Sequence, residues 1–264
     1  MTRKVIGVII MITLLVTECF AGTMFYKQYT DAKNSASTFE ELQEQNKNTE
    51  ELPSSETEGS SVTEETESTP AETEMTVFDK YLPLQEQNGD MIGWIFIEGT
   101  EVNYPVMQTP DDPDYYLKHS FEKTWSDYGV PYVDEACKVD TSNNLVIYGH
   151  NMKNGSMFNG LLQYKNKEFF QSHPVICFDT VEAPGQYQII AVFCYDTHNE
   201  TFKYYKYTDM DEAEFSEYVE SCRLRSIYDT GLTAEYGDML ITLSTCEYTY
   251  TNGRFVVVAK KIVE

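Results

Sequence analysis

The hydrophobic pattern of the chain falls into three stretches. A basic start, MTRK, leads into the unbroken apolar run VIGVIIMITLLVT, which stops at Glu18, and CFAGTMFY beyond it stays mostly apolar and ends in aromatic residues. A run of this kind predicts a membrane-crossing helix or the core of a secretory signal peptide. The aromatic end suits a lipid–water interface and favours a retained anchor over residues 5–26. The basic residues before it place 1–4 on the cytoplasmic side and everything after it outside. The pattern then disappears: FEELQEQNKNTEELPSSETEGSSVTEETESTPAETE has scarcely any large apolar residue. Such a segment cannot bury enough surface to offset the entropy of ordering it, so residues 27–75 are expected to form a disordered, self-repelling acidic tether.

From Thr76 the apolar positions return with the periods of folded elements, defining a domain over 76–264. FDKYLPLQEQNGDMIGWIFI predicts a short helix, a turn at Asn88-Gly89 and a strand over Ile92 to Ile97. TEVNYPVMQ is a second strand, which Pro105 places at an edge or an end. DDPDYYLKHSF predicts a turn into a helical turn, and YGVPYVD a short extended piece. NNLVIYGHN is a buried strand ending at Gly149-His150. A turn at Asn154-Gly155 then opens a helix with Met157, Phe158, Leu161 and Leu162 on its inner side. PVICFDT and GQYQIIAVFCYDT form a hairpin. DMDEAEFSEYVESCRLRS is an amphipathic helix, capped by Asp209 or Asp211, with Phe215, Tyr218, Val219 and Cys222 on one stripe. Two strands, MLITLSTCE and GRFVVVAKK, close the chain. Many short strands with a few helices between them predict a mainly β fold, a closed or nearly closed barrel.

Composition changes this picture in two places. The net charge of -24 argues against a nucleic-acid partner, because a polyanion is bound by neutralising its phosphates with Lys and Arg. Much of that charge lies in the tether, so it describes the tether more than the domain. The six cysteines are Cys19 in the apolar run and Cys137, Cys177, Cys194, Cys222 and Cys246 in the domain. An odd set in an exported domain leaves at least one thiol unpaired. No spacing among them suits zinc, no calcium loop is present and no cofactor motif is visible, so neither metal nor cofactor is expected.

Cys177, Cys194 and Cys222 lie in apolar patterns and are expected to be small core residues. Cys246 ends a strand and is followed by polar and aromatic loop residues. A nucleophilic thiol needs a group that favours thiolate, a proton donor for the leaving group and donors for the oxyanion. His150, at the end of a buried strand, and Arg254, opening the strand antiparallel to that of Cys246, are the candidates. His119, His173 and His198 have no comparable placement. For Tyr148 and Met157 a core role is expected.

YGHNMKNGSMF together with TLSTCEYTYTNGRFVVVAKK closely resembles the sortase family, and in particular its class B branch. The likeness continues through WIFIEGTEVNYPVMQ, DYYLKHSF and the helix before the last strand pair, and so spans residues 76–264. The eight-residue step from Cys246 to Arg254 and the helix before the cysteine strand look like class B. The resemblance implies a sortase-type closed barrel of about eight strands, with an N-terminal helical segment and a helix before the last strand pair, on the outer face of a Gram-positive membrane. It implies transpeptidation through a thioacyl enzyme, with Cys246 as nucleophile, His150 as acid and base, and Arg254 holding peptide and oxyanion. Ser244, Thr245, Glu247 and Leu117 would line the substrate groove. The partners implied are sorting signals of secreted proteins, of NPxTx type and cleaved after Thr, and an amine of a peptidoglycan precursor (lipid II). A lysine on another protein, as in pilus assembly, is the alternative acceptor. Two other readings stay open: a barrel that only binds peptide, and a cysteine peptidase that passes the acyl group to water.

Overall fold

The computed structural model describes residues 2–50, 77–198, 201–247 and 252–263. Its centre is a closed barrel of eight strands: β1 (Met91–Phe96), β2 (Asn103–Met107), β3 (Tyr132–Val133), β4 (Asn144–Tyr148), β5 (Val175–Thr180), β6 (Gln186–Asp196), β7 (Leu240–Glu247) and β8 (Gly253–Lys261). The order around the barrel is β1-β2-β3-β4-β7-β8-β6-β5. Neighbours are antiparallel except β2 with β3 and β4 with β7, which run parallel. Pro105 lies in β2, which pairs along its length with β1 but meets β3 only at Met107, so a missing N–H is tolerated there.

Strands β7 and β8 carry near-continuous apolar runs because both of their faces are covered. Leu243, Ile241, Phe255, Val257 and Ala259 fill the barrel interior with Ile95, Val106, Ile147 and Ile189. Leu240, Val256 and Val258 point the other way, into a second cluster with Phe193, Tyr204, Phe215 and Tyr218. Helix α4 (Glu212–Arg225) supplies much of that outer layer, burying Phe215, Tyr218, Val219 and Cys222 as their spacing predicts. Asp211 caps it, accepting from the Glu214 amide while the Glu214 carboxylate returns the bond to the Asp211 amide.

Two elements differ from expectation. After Met157, which sits at φ 58, residues Phe158–Lys165 form a 3-10 helix, with α3 (Lys167–Ser172) following. A three-residue period stacks Phe158, Leu161 and Tyr164 in one buried row, which the pattern shares with an α-helix over so short a span. The larger correction concerns the tether. Helix α1 runs unbroken from Thr2 to Glu50, so residues 27–50 are helical, and from Asp31 onward they dock on the barrel; residues 51–76 lie outside the described ones. Phe39 and Leu42 are buried, with the Phe39 ring 4.8 Å edge-on from Tyr104. Thr38 donates to Glu122, Gln43 donates to the Asn103 carbonyl, and Asp31 accepts from the Asp127 amide at 2.8 Å. Within α1, one stretch is long and apolar enough to cross a membrane, by length and composition. Helix α2 (Val77–Gln87) packs beside α1 and leads into β1.

Candidate active site

Three expected residues meet at one end of the barrel. Cys246 is the penultimate residue of β7 and Arg254 the second of β8, and the antiparallel register sets them directly opposite each other. Directly opposed residues share a sheet face, so thiol and guanidinium leave the strands on the same side. His150 joins them from β4. The Gly149 amide donates to the Ser244 carbonyl at 3.1 Å, and the Thr245 hydroxyl donates to the Gly149 carbonyl at 2.7 Å. On the other side of His150, the Asn151 amide side chain donates to the Cys246 carbonyl at 2.8 Å. Both chain neighbours of His150 are therefore tied to the end of β7.

The YGHNMKNGSMF stretch folds to make this junction. Gly155, at φ 92, turns the chain so that Met157 pairs back onto Asn151. Phe158 then donates its amide to the His150 carbonyl at 2.8 Å and lays its ring on Gly149. A Cβ at Gly149 would lie 2.6 Å from that ring, which is why glycine precedes the histidine. Asn159 donates to the Asn151 side-chain oxygen at 2.6 Å and fixes the amide's orientation.

His150 Nε2 lies 2.8 Å from the Leu117 carbonyl oxygen. A carbonyl only accepts, so Nε2 carries a proton and the neutral ring holds its lone pair on Nδ1. Burial lowers the His150 pKa from the ordinary 6.5, and Lys118 adds to the shift, against the opposing pull of the Leu117 bond and Asp127. The half-buried Arg254 donates Nη1 to the Gly253 carbonyl at 3.1 Å. None of the six cysteines is in a disulfide bond. Burial pushes Cys137 and Cys222 up to about 12 and raises Cys177 and Cys194, leaving four barrel thiols poorly able to form thiolate at neutral pH. Cys177 and Cys194 are half-buried rather than full core residues. No group of three or more metal-ligating side chains occurs among the described residues.

A model of the sortase domain matches residues 95–262. Sortase B of Listeria monocytogenes is 34% identical over 192 residues, covering 71% of this chain and 76% of that protein. The chain belongs to the sortase family. Its solved neighbours put this sortase in the class B branch. The X-ray structure of Clostridium perfringens sortase B has a TM-score of 0.64 at 30% identity, covering 69% of this chain and 99% of that one. A Staphylococcus aureus sortase B–substrate complex has a TM-score of 0.71 at 25% identity, covering 88% and 98%. This sortase is accordingly a cysteine transpeptidase by family.

The residues expected to line the groove divide by strand alternation. Ser244 shares the face of Cys246, but its hydroxyl lies under Tyr204, 2.7 Å from the phenol oxygen. Thr245 and Glu247 face the other way. The Thr245 hydroxyl is engaged by the Gly149 carbonyl, and the buried Glu247 carboxylate pairs with Lys165 at 2.7 Å, so both hold the strand end in place. Leu117 contributes through its carbonyl on His150. Asn151, Lys165 and Tyr204 escaped the sequence: Asn151 stands beside His150 with nothing to mark it, and Lys165 and Tyr204 meet β7 across long chain separations.

Proposed function

We propose that Cys246, His150 and Arg254 carry out acyl transfer on a sorting-signal peptide. The supporting observation is the junction that sets Cys246 opposite Arg254 while Gly149 and Asn151 bind His150 to the same strand end. The thiol passes its proton to His150 Nδ1, and the thiolate attacks the peptide carbonyl. The oxygen that gains negative charge is met by the Arg254 guanidinium, whose planar fork holds it better than an ammonium could. As the tetrahedral intermediate collapses, the C–N bond breaks and the imidazolium returns its proton to the leaving amine. An acceptor amine then attacks the thioester, gives up a proton to His150 and releases the Cys246 thiolate. Peptide as the occupant is supported by the substrate complex of the Staphylococcus aureus relative. The signal is of NPxTx type, cleaved after Thr, and the acceptor is an amine of the peptidoglycan precursor lipid II. The apolar run 5–26 anchors the chain in a Gram-positive cell membrane with the barrel outside, consistent with the long apolar helix.

The test uses the full chain in detergent micelles with NPxTx and LPxTx peptides, with and without a diaminopimelate or oligoglycine acceptor, followed by mass spectrometry. Cleavage after Thr, an acyl adduct on Cys246 and amine-dependent amide product are expected. An acid product that added amine does not divert would make the protein a peptidase, and an adduct elsewhere would remove Cys246 from the mechanism.

A further inference from the structure

Helix α1 continues without a break from its apolar run into the segment docked on the barrel, so the distance from membrane to site is set by helix geometry. Tyr26 closes the apolar run, and Asp31, five residues on, already accepts from the Asp127 amide. At 1.5 Å per residue that is about 7.5 Å, comparable with a headgroup layer of roughly 5–8 Å on each side of the bilayer. Asp127 in turn pairs with Lys118 at 3.0 Å, and Lys118 follows Leu117, whose carbonyl holds His150. The His150 loop lies on the same side: Asn154 donates to the Tyr128 hydroxyl, and Asn154 and Ser156 line a cleft with Ala32, Ser35 and Phe39 of α1. The reacting end of the barrel is therefore the end nearest the start of the docked helix. Exposed aromatics gather along this path, with Tyr26 at 71%, Tyr29 at 67% and Trp125 at 59% of full exposure. Trp125 stands edge-on to His119, which stacks on Tyr115 at 3.9 Å, so Trp125 projects from an aromatic cluster on the same loop. Tryptophan and tyrosine are the side chains that partition to the headgroup level.

We propose that the loops 118–128 and 150–156 rest against the headgroups of the bilayer crossed by α1, so that the Cys246 site opens at the membrane surface. This rests on the anchor reading above. A rigid α1 replaces a flexible tether as the part that sets the site's height, and the docked residues 31–47 prevent the barrel from swinging away from the bilayer.

The full-length protein reconstituted in phosphatidylcholine vesicles tests this, using a lipid with a nitroxide on its headgroup. The chain has two tryptophans, and Trp94 is buried, so the difference between the parent and Trp125→Phe reports Trp125. Strong quenching of that difference signal is expected, together with its loss when a seven-residue helical segment is inserted between Lys27 and Asp31, which lifts the barrel by about 10 Å with little rotation. A Trp125 signal unquenched by the headgroup nitroxide, in protein that resists alkaline extraction, overturns the placement and leaves the anchor intact. Protein released by alkali overturns the anchor and the placement together. Quenched Trp125 in a protein inactive on soluble peptide and amine supports the placement and strikes the transpeptidase reading alone.

Discussion

The thiols of this protein differ in how exposed and how charged their surroundings are. Cys137 and Cys222 are held up to about 12 by burial, and Cys177 and Cys194 are raised for the same reason, so none of the four competes well as a nucleophile. Iodoacetamide at neutral pH is expected to label Cys246 first within the folded barrel, and Cys246→Ala is expected to abolish turnover while Cys194→Ser keeps it; labelling followed by peptide mapping checks the first point and an activity assay the second. Arg254→Ala removes the proposed oxyanion partner and is expected to lower kcat/KM by about a hundredfold or more. Arg254→Lys restores charge without the fork and is expected to recover only part of that loss. His150 carries a consequence for stability. Its folded-state pKa lies below the ordinary 6.5, so as pH falls the unfolded chain takes up a proton that the folded chain resists. Its contribution to stability is fully present above the unfolded value and shrinks as pH drops from near 6.5 towards the lower folded value. His150→Gln keeps a donor for Leu117 without the titration, and urea melts from about pH 7 to about pH 5 are expected to show a shallower fall for the variant than for the parent. Equal slopes would show that His150 is not protected from protonation.

Between elements, the decisive feature is the junction of β4 and β7, two parallel strands whose ends are joined by backbone and side-chain bonds around His150 and Cys246. Asn151 crosses that junction, and its geometry depends on Asn159, eight residues on at the start of the 3-10 helix. Asn151→Ala leaves the Cys246 carbonyl without this donor and lets the histidine loop drift. A displacement near 1 Å can cost about a hundredfold in rate. Asn151→Ala is therefore expected to lower kcat by roughly tenfold to a hundredfold with KM little changed, measured on a soluble peptide; a pure KM effect would assign Asn151 to binding instead. This junction also separates what the sequence displays from what it hides. The antiparallel pairing of β7 with β8, and hence Cys246 beside Arg254, follows from two apolar runs and a short loop, and α4 follows from its stripe and its acidic cap. The parallel contact of β4 with β7 joins segments nearly a hundred residues apart, and local pattern carries no record of it. Thr245 and Glu247 show the same limit at finer grain. The family resemblance suggested the groove for both, and the partners that hold them, Gly149 and Lys165, lie far away in the chain.

On the scale of the whole molecule, α1 changes the architecture from a barrel on a flexible string to a barrel clasped by its own N-terminal helix. Composition missed this because the docked face is sparse. Ser35, Phe39 and Leu42 recur at helical spacing, yet only two of them are large and apolar, amid a run of Glu, Gln and Asn that by itself reads as unfolded. The helix persists because Phe39 packs on Tyr104, and because Thr38, Gln43 and Asp31 each find a partner on the barrel surface. Isolated helices of this composition are marginal in water, so removing the two apolar anchors is expected to free the segment. Phe39 and Leu42 are 7% and 3% exposed, and large-to-alanine changes at buried sites cost about 2–5 kcal/mol each. The barrel interior draws on neither residue for its strand pairing, so Phe39→Ala with Leu42→Ala is expected to leave a folded barrel. Amide exchange over residues 31–47 should rise sharply while β7 and β8 stay protected. If exchange rises over the strands as well, α1 is an integral part of the barrel's cooperative unit, and the same helix also keeps the site folded.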